Sequence, residues 1–138
     1  MPGVRLPASS KKGGKCLGVP DVCKTPAAPS PIPVPYPDMG MLANTDKAVD
    51  KVVLEKKETV VEDSKVPNTK GDEAGTLKGM VSSTNMSEAD FKKYSSKVFA
   101  KGKKVVHHTA VTSHNGSNAN MPAGAHLEPS QSKVVIAL

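Results

Sequence analysis

The sequence contains no tryptophan, two phenylalanines and two tyrosines in 138 residues. Aromatic side chains carry the largest apolar areas, so an aromatic-anchored interior is excluded. Apolar residues make up 37% of the chain, less than a globular domain usually carries. Valine, proline and small residues stand where large apolar ones would, which favours a thin, strand-rich body over a helical bundle. Arginine is scarce too: Arg5 is the single arginine among 19 basic residues. Base readout and bidentate phosphate contacts favour arginine. The lysines are scattered in ones and twos, so the net charge of +6 does not form a nucleic-acid-binding stripe. Residues 1–10 (MPGVRLPASS) lack the apolar stretch of a signal peptide, and no later run reaches membrane-spanning length. Synthesis in the cytoplasm is expected, with any exit made without the general export signal and with no stable membrane insertion. The motifs GxSxG, CxxC and HExxH and the phosphate-binding glycine loops are absent. With no nucleophile poised beside a base, the reading is not an enzyme.

The length suits one domain, expected over residues 16–138 behind a loose Gly-, Lys- and Ser-rich arm at 1–15. Seven of the twelve prolines lie between Pro20 and Pro37. Proline fixes φ and restrains the residue before it, so PSPIPVPYP (Pro29–Pro37) is extended. It lacks amide donors at every second position, so at most one of its edges can pair. A rigid wrap around its own domain is favoured over a ligand for a proline-recognising module. Lys47–Glu55 and Glu58–Val61 read as strands, and Lys65–Thr76 as a turn region in which the adjacent acids Asp72 and Glu73 are solvated. Ser87–Asp90 resembles a helix cap, predicting a short helix to about Tyr94 with Phe91 and Tyr94 on one face. Lys97–Val106 predicts a hairpin turning near Ala100–Gly102. Asn115–Pro129 reads as polar and exposed. The apolar end SKVVIAL (Ser132–Leu138) needs a pairing partner.

Cys16 and Cys23, in a reducing compartment, read as metal ligands or buried thiols rather than a disulfide. With His107, His108 and His114 they are the soft or borderline ligands of note. A structural zinc takes four such groups, and a domain with a weak core gains folding free energy from one. On a strand His107 and His108 point to opposite faces, so one of them serves.

PDVCKTP (Pro20–Pro26), followed by PIPVPYPDMGM, resembles the opening of the PAAR-like domain family of type VI secretion systems. GDEAGT (Gly71–Thr76), MVSSTN (Met80–Asn85), Phe91–Tyr94, Gly102–Lys103, His108–Thr109 and His114–Asn115 match in order, so the resemblance runs from Val19 to Asn115. It implies a small conical, mainly β domain of short strands and hairpins with one short helix and the proline-rich segment. It also implies a cone whose base caps a trimeric spike, the valine–glycine repeat protein, one tip per trimer, sharpening it for envelope puncture. The apolar C-terminal residues would supply part of that base. Such a protein waits in the bacterial cytoplasm and leaves with the fired spike. With Leu138 as the last residue, no fused toxin is expected. The alternative is an adaptor that loads a secreted effector, using the polar segment Asn115–Pro129. A metal-dependent hydrolase and a basic nucleic-acid binder are the weaker rivals. The family's zinc, near the point, is held by histidine and cysteine. Relatives carry a histidine in an HKGSGG-like segment before PDVC; SKKGGKC stands here, and Cys16 is the replacement. Val106 stands where relatives have a cysteine, and Ala110 where they have an aspartate. The ligand set this implies is Cys16, Cys23, His108 and His114, with His107 in reserve.

Overall fold

The computed structural model describes residues 4–138. Its main body is a six-stranded antiparallel sheet in the order β3-β2-β11-β10-β7-β6. The strands are β2 (Lys15–Thr25), β3 (Ile32–Met41), β6 (Lys65–Val66), β7 (Ala89–Phe91), β10 (Val111–His114) and β11 (Met121–Glu128). The proline-rich segment is β3, and it takes the edge position that its missing amide donors demand. Its outer side is partly closed by Lys70, which exchanges backbone hydrogen bonds with Met39 at 2.6 and 2.8 Å.

One irregularity sets which side chains face inward. Between Gly18 and Asp21, β2 spends three residues where β3 spends two, from Asp38 to Tyr36. This bulge reverses the alternation of a strand. Cys16 and Gly18 are buried before it, Val19 and Pro20 are exposed within it, and Asp21 and Cys23 are buried after it.

The remaining strands form three two-stranded ribbons: β1 (Arg5–Pro7) with β12 (Val135–Ala137), β4 (Val49–Leu54) with β5 (Lys57–Thr59), and β8 (Phe99–Ala100) with β9 (Lys103–Lys104). They share one small core of Ala8, Val49, Val61, Ala100, Val105 and Ile136. A second core, against the sheet, contains Cys16, Leu42, Val60, Val66, Ala89, Phe91, Val106 and Ala110. The pairs Val60–Val61 and Val105–Val106 each place one residue in either core, as the two-residue period of an extended chain dictates. Tyr94 packs on the edge of the sheet core.

Several expectations are corrected. The segment expected as a short helix from Ser87 to Tyr94 holds strand β7, paired on both sides by β6 and β10. Ala89 and Phe91 are buried on alternate positions, and a two-sided ladder satisfies more backbone groups than one isolated helical turn. Leu42–Asn44, a single 3-10 turn, is the one helical element among the described residues. The expected loose arm is paired from Arg5 onward, and Ala8, Ser9 and Ser10 are fully buried; its residues 1–3 lie outside those described. The segment Asn115–Pro129, expected to be exposed, carries β11 inside the sheet, with Asn115, Met121 and His126 buried. The hairpin at Lys97–Val106 and the strands near Lys47–Glu55 and Glu58–Val61 form as expected, and the apolar end pairs with β1 of its own chain.

Ile136 is 8% exposed and joins β12 to the ribbon core. Ile136→Ala is expected to lower the unfolding free energy by about 2–4 kcal/mol in urea titration. Val135→Thr, at a half-exposed neighbour, should change it by less than about 0.5 kcal/mol.

Candidate functional site

Asp21 and Cys23 lie two residues apart on β2, so both project to one face. The turn 71–75 closes over them. Gly71 has φ +125°, and a Cβ there would stand 2.0 Å from the Pro37 carbonyl oxygen; one on Gly75 would stand 2.4 Å from the Cys23 Cβ. Only glycine permits that approach. The turn carries Asp72 into the interior, while Glu73 stays exposed and accepts the Gly71 N–H at 2.9 Å. The expectation that both acids are solvated therefore fails for Asp72, which is fully buried. Ligating atoms of Asp21, Cys23 and Asp72 all lie within 4.8 Å of one another.

Two asparagines orient this group. The Asn115 amide donates to Asp21 Oδ1 at 3.2 Å and approaches Cys23 Sγ at 3.7 Å. The Asn120 amide donates to Asp21 Oδ1 and, at 2.7 Å, to the Val22 carbonyl. Their own oxygens accept backbone N–H groups, Asn120 Oδ1 from Val81 at 2.8 Å and Asn115 Oδ1 from Ser87 at 3.2 Å. The amide orientations are thereby fixed with NH2 inward. Met86 N–H donates to Asp72 Oδ2 at 3.2 Å. Asp21 Oδ2 and Asp72 Oδ1 are buried without a partner. Among the described residues no lysine or arginine pairs with Asp21, Asp38 or Asp72. Burial, reinforced by the Asp21 carboxyl, holds Asp72 well above the usual carboxylate range. Burial and then the two neighbouring carboxylates push the Cys23 thiol up to about 12.

Beside this group the His114 imidazole lies across the sheet. It starts on β10, passes over Gly124 of β11 and Gly18 of β2, and ends with Nδ1 3.3 Å from Asp38 Oδ2 on β3. Its Nε2 is 2.8 Å from the Thr112 hydroxyl. Burial raises Asp38, and His114 and Thr69 oppose that rise.

The four expected ligands are distributed rather than gathered into one group. Cys23 joins Asp21 and Asp72. Cys16 sits in the sheet core, its thiol donating to the Gly40 carbonyl at 3.6 Å and pushed up to about 12 by burial. His114 pairs with Asp38. His108 is half-buried, its Nε2 2.8 Å from the Leu127 carbonyl oxygen. His107 is buried, with Nδ1 2.7 Å from the His108 carbonyl and Nε2 without a partner. Asp21, Asp38 and the fully buried His126 are not singled out by the sequence, and Asp72 reads there as a solvated loop acid. The Asp-x-Cys spacing within PDVC was the available signal for Asp21.

This body of short strands and hairpins falls in the class of PAAR-like domains. The sequence model of the Toxin PAAR-like domain family matches residues 14–122, and the chain belongs to that family. It is 31% identical over 134 residues to the DNase toxin Tse7 of Pseudomonas aeruginosa, a match covering 91% of this chain and 35% of that protein. The chain thus spans about a third of the curated relative's length. No solved structure matches it. The zinc that the family resemblance implies finds a fitting donor set among the described residues in one thiol and two carboxylates with unpartnered oxygens.

A Cβ on Gly124 would meet His114 Nε2 at 2.6 Å and the Leu17 carbonyl oxygen at 2.7 Å. Gly124→Ala is therefore expected to destabilise the fold by about 1–3 kcal/mol in denaturant titration. Gly13→Ala, whose nearest new contact is 4.0 Å away, should be near neutral.

His126 Nδ1 pairs with the Ser9 hydroxyl at 2.9 Å and lies 3.3 Å from the His107 carbonyl oxygen, and its ring meets His108 edge-on at 5.8 Å. Burial, with His108 and His107 adding repulsion, lowers it from 6.5 to about 4. The folded state therefore holds the neutral ring, and acid charges the unfolded ring first. This contribution is complete above the unfolded value and is lost as pH falls toward the folded one. Acidifying from about pH 7.5 to about 5 should cost about 2 kcal/mol of stability. His126→Gln should flatten that dependence in urea titrations at each pH.

Proposed function

We propose that this domain is a spike-borne carrier of the type VI secretion class: it docks on the trimeric spike and delivers a toxin with it. The observation that carries this reading is the family match over residues 14–122 together with the relative's name and length, since a domain of this kind makes up part of a longer DNase toxin. The DNase activity is that relative's; this domain's part is seating and transport. Two features of the fold support it. The three ribbons differ in sequence yet surround one core, which is how a single chain can meet a three-fold partner. Each turns an apolar side chain outward: Val135 at 49% exposure, Val53 at 55% and Phe99 at 54%. Such side chains in combination suit a protein partner. The two ends of the described chain also run side by side, with Leu138 N–H donating to the Val4 carbonyl at 3.3 Å. Cargo joined at either end would leave from the same ribbon.

A capping role without cargo uses the same ribbon face, and one genetic experiment separates the two. In the producing bacterium, removing this chain is expected to stop toxin delivery while sheaths still contract. Loss of contraction itself would favour the cap. For docking, Val53→Glu with Phe99→Glu should weaken co-purification with the spike trimer about tenfold or more while leaving the melting temperature within a few degrees. Unchanged co-purification would overturn the ribbon face as the docking surface.

A further inference from the structure

The ribbons and their core hold the whole formal net charge of +6. The segments 4–14, 46–64, 95–107 and 130–138, which carry them, contain 12 of the 19 basic residues and 6 of the 13 acidic ones. The remainder of the chain contains seven of each. In each ribbon an exposed lysine stands two positions from the outward apolar side chain: Lys51 before Val53, Lys97 and Lys101 on either side of Phe99, and Lys133 before Val135. A cleft of about 240 Å³ opens between the start of β4 and the β8–β9 turn, lined by Lys47, Ala48, Val49, Asp50, Lys101 and Lys103. Lys103 is paired with Asp63. Among the described residues Lys47 and Lys101 have no ion pair, and Asp50 is paired with none of the three lysines. Lys47 and Lys101 have φ +60° and +51°, a left-handed conformation that lysine seldom takes. Lys101 and Gly102 both have positive φ, the hairpin geometry in which asparagine usually precedes glycine. Lysine at that position gives up the favoured turn residue and adds a charge to the cleft.

We propose that the ribbons dock on an acidic face of the trimeric spike, and that the cleft between β4 and the β8–β9 turn receives a carboxylate side chain from it. This rests on the docking reading above and adds the chemistry of the partner's face: acidic side chains set around the apolar contacts to Val53, Phe99 and Val135. Apolar contacts at the centre with charges around them is the usual composition of a protein interface. Complementary charge raises the rate of encounter and fixes the register more than it deepens affinity. Nucleic acid is the competing polyanion. Val53 and Val135 find no apolar surface on a phosphate backbone, and Arg5, the side chain best suited to phosphate, does not line the cleft.

The test measures association of the whole chain with the spike trimer of the producing bacterium at increasing sodium chloride. The wild-type rate is expected to fall about tenfold or more between about 0.05 and about 0.5 M salt. Lys47→Glu with Lys101→Glu should slow association at low salt by about tenfold or more and flatten the salt dependence. Lys47→Arg with Lys101→Arg should keep the wild-type rate. Both positions are exposed, so the melting temperature should stay within a few degrees in either variant. Lys24→Glu with Lys70→Glu, an equal change of charge on the main sheet and its edge, should leave the rate within about twofold. Association that ignores both salt and the Lys47 and Lys101 variants, yet is weakened by Val53→Glu with Phe99→Glu, overturns the acidic face and leaves the docking surface standing. A wild-type chain that does not bind the trimer at any salt overturns both. Equal loss in Lys24→Glu with Lys70→Glu overturns the cleft, by tracing the effect to net charge alone. Lysine variants that hold the trimer as the wild type does but lose binding to a short DNA duplex overturn the proposal in favour of nucleic acid.

Discussion

Three carboxyl groups, those of Asp21, Asp38 and Asp72, are fully buried with one histidine against them. Each ionised carboxylate taken from water carries a penalty of several kcal/mol unless donors or a positive charge replace its hydration. The surrounding architecture reads as the response to that penalty. Asn115 and Asn120 bring amide donors from a segment about a hundred residues away in sequence. His114 spans the width of two strands to reach Asp38, and glycines at positions 18 and 124 leave the space for its ring. Met86 turns its backbone N–H onto Asp72. These donors hold one oxygen each of Asp21 and Asp72, and the second oxygen of each and both of Asp38 are buried without a hydrogen-bond partner among the described residues.

The bulge in β2 makes this concentration of polarity compatible with a core. A regular strand with Cys16 inside would place Asp21 and Cys23 outside. One extra residue reverses the alternation, so a single strand contributes Cys16 to the apolar cluster and Asp21 and Cys23 to the polar one. Strand β2 therefore divides the domain. Its first half packs against valines, and its second half is held by hydrogen bonds.

The fold class, the edge position of the proline segment and the hairpin at Lys97–Val106 were legible because they rest on local rules: missing donors, fixed φ and turn residues. Phe91 and Tyr94 were recognised as packing residues, but the segment was read as helix. A capping pattern at Ser87–Asp90 carries no information about the open ladder positions that β6 and β10 present to it. Asp72 shows the same limit more sharply. Adjacent acids in a glycine-flanked turn are usually solvated, and only the close approach of Gly71 and Gly75 to β3 and β2 turns one of them inward. Cys23 is a ligand type in the sequence, and histidines are the partners that zinc commonly takes beside it. The nearest acidic group on its own strand is Asp21, two positions away on the same face.

The division of the domain also separates its tasks. The ribbon end has a hydrocarbon core and exposed apolar side chains, so its cohesion and its surface are of the kind that protein partners bury. The other part has few large side chains. There, β2, the turn 71–75 and the segment 115–120 meet at a cluster of buried polar side chains. Segments that must stay together with little apolar area to bury depend on strong, short-range polar contacts, and those are worth most where water is excluded. The scarcity of aromatic residues and the abundance of buried aspartate, asparagine and histidine are thus two sides of one construction.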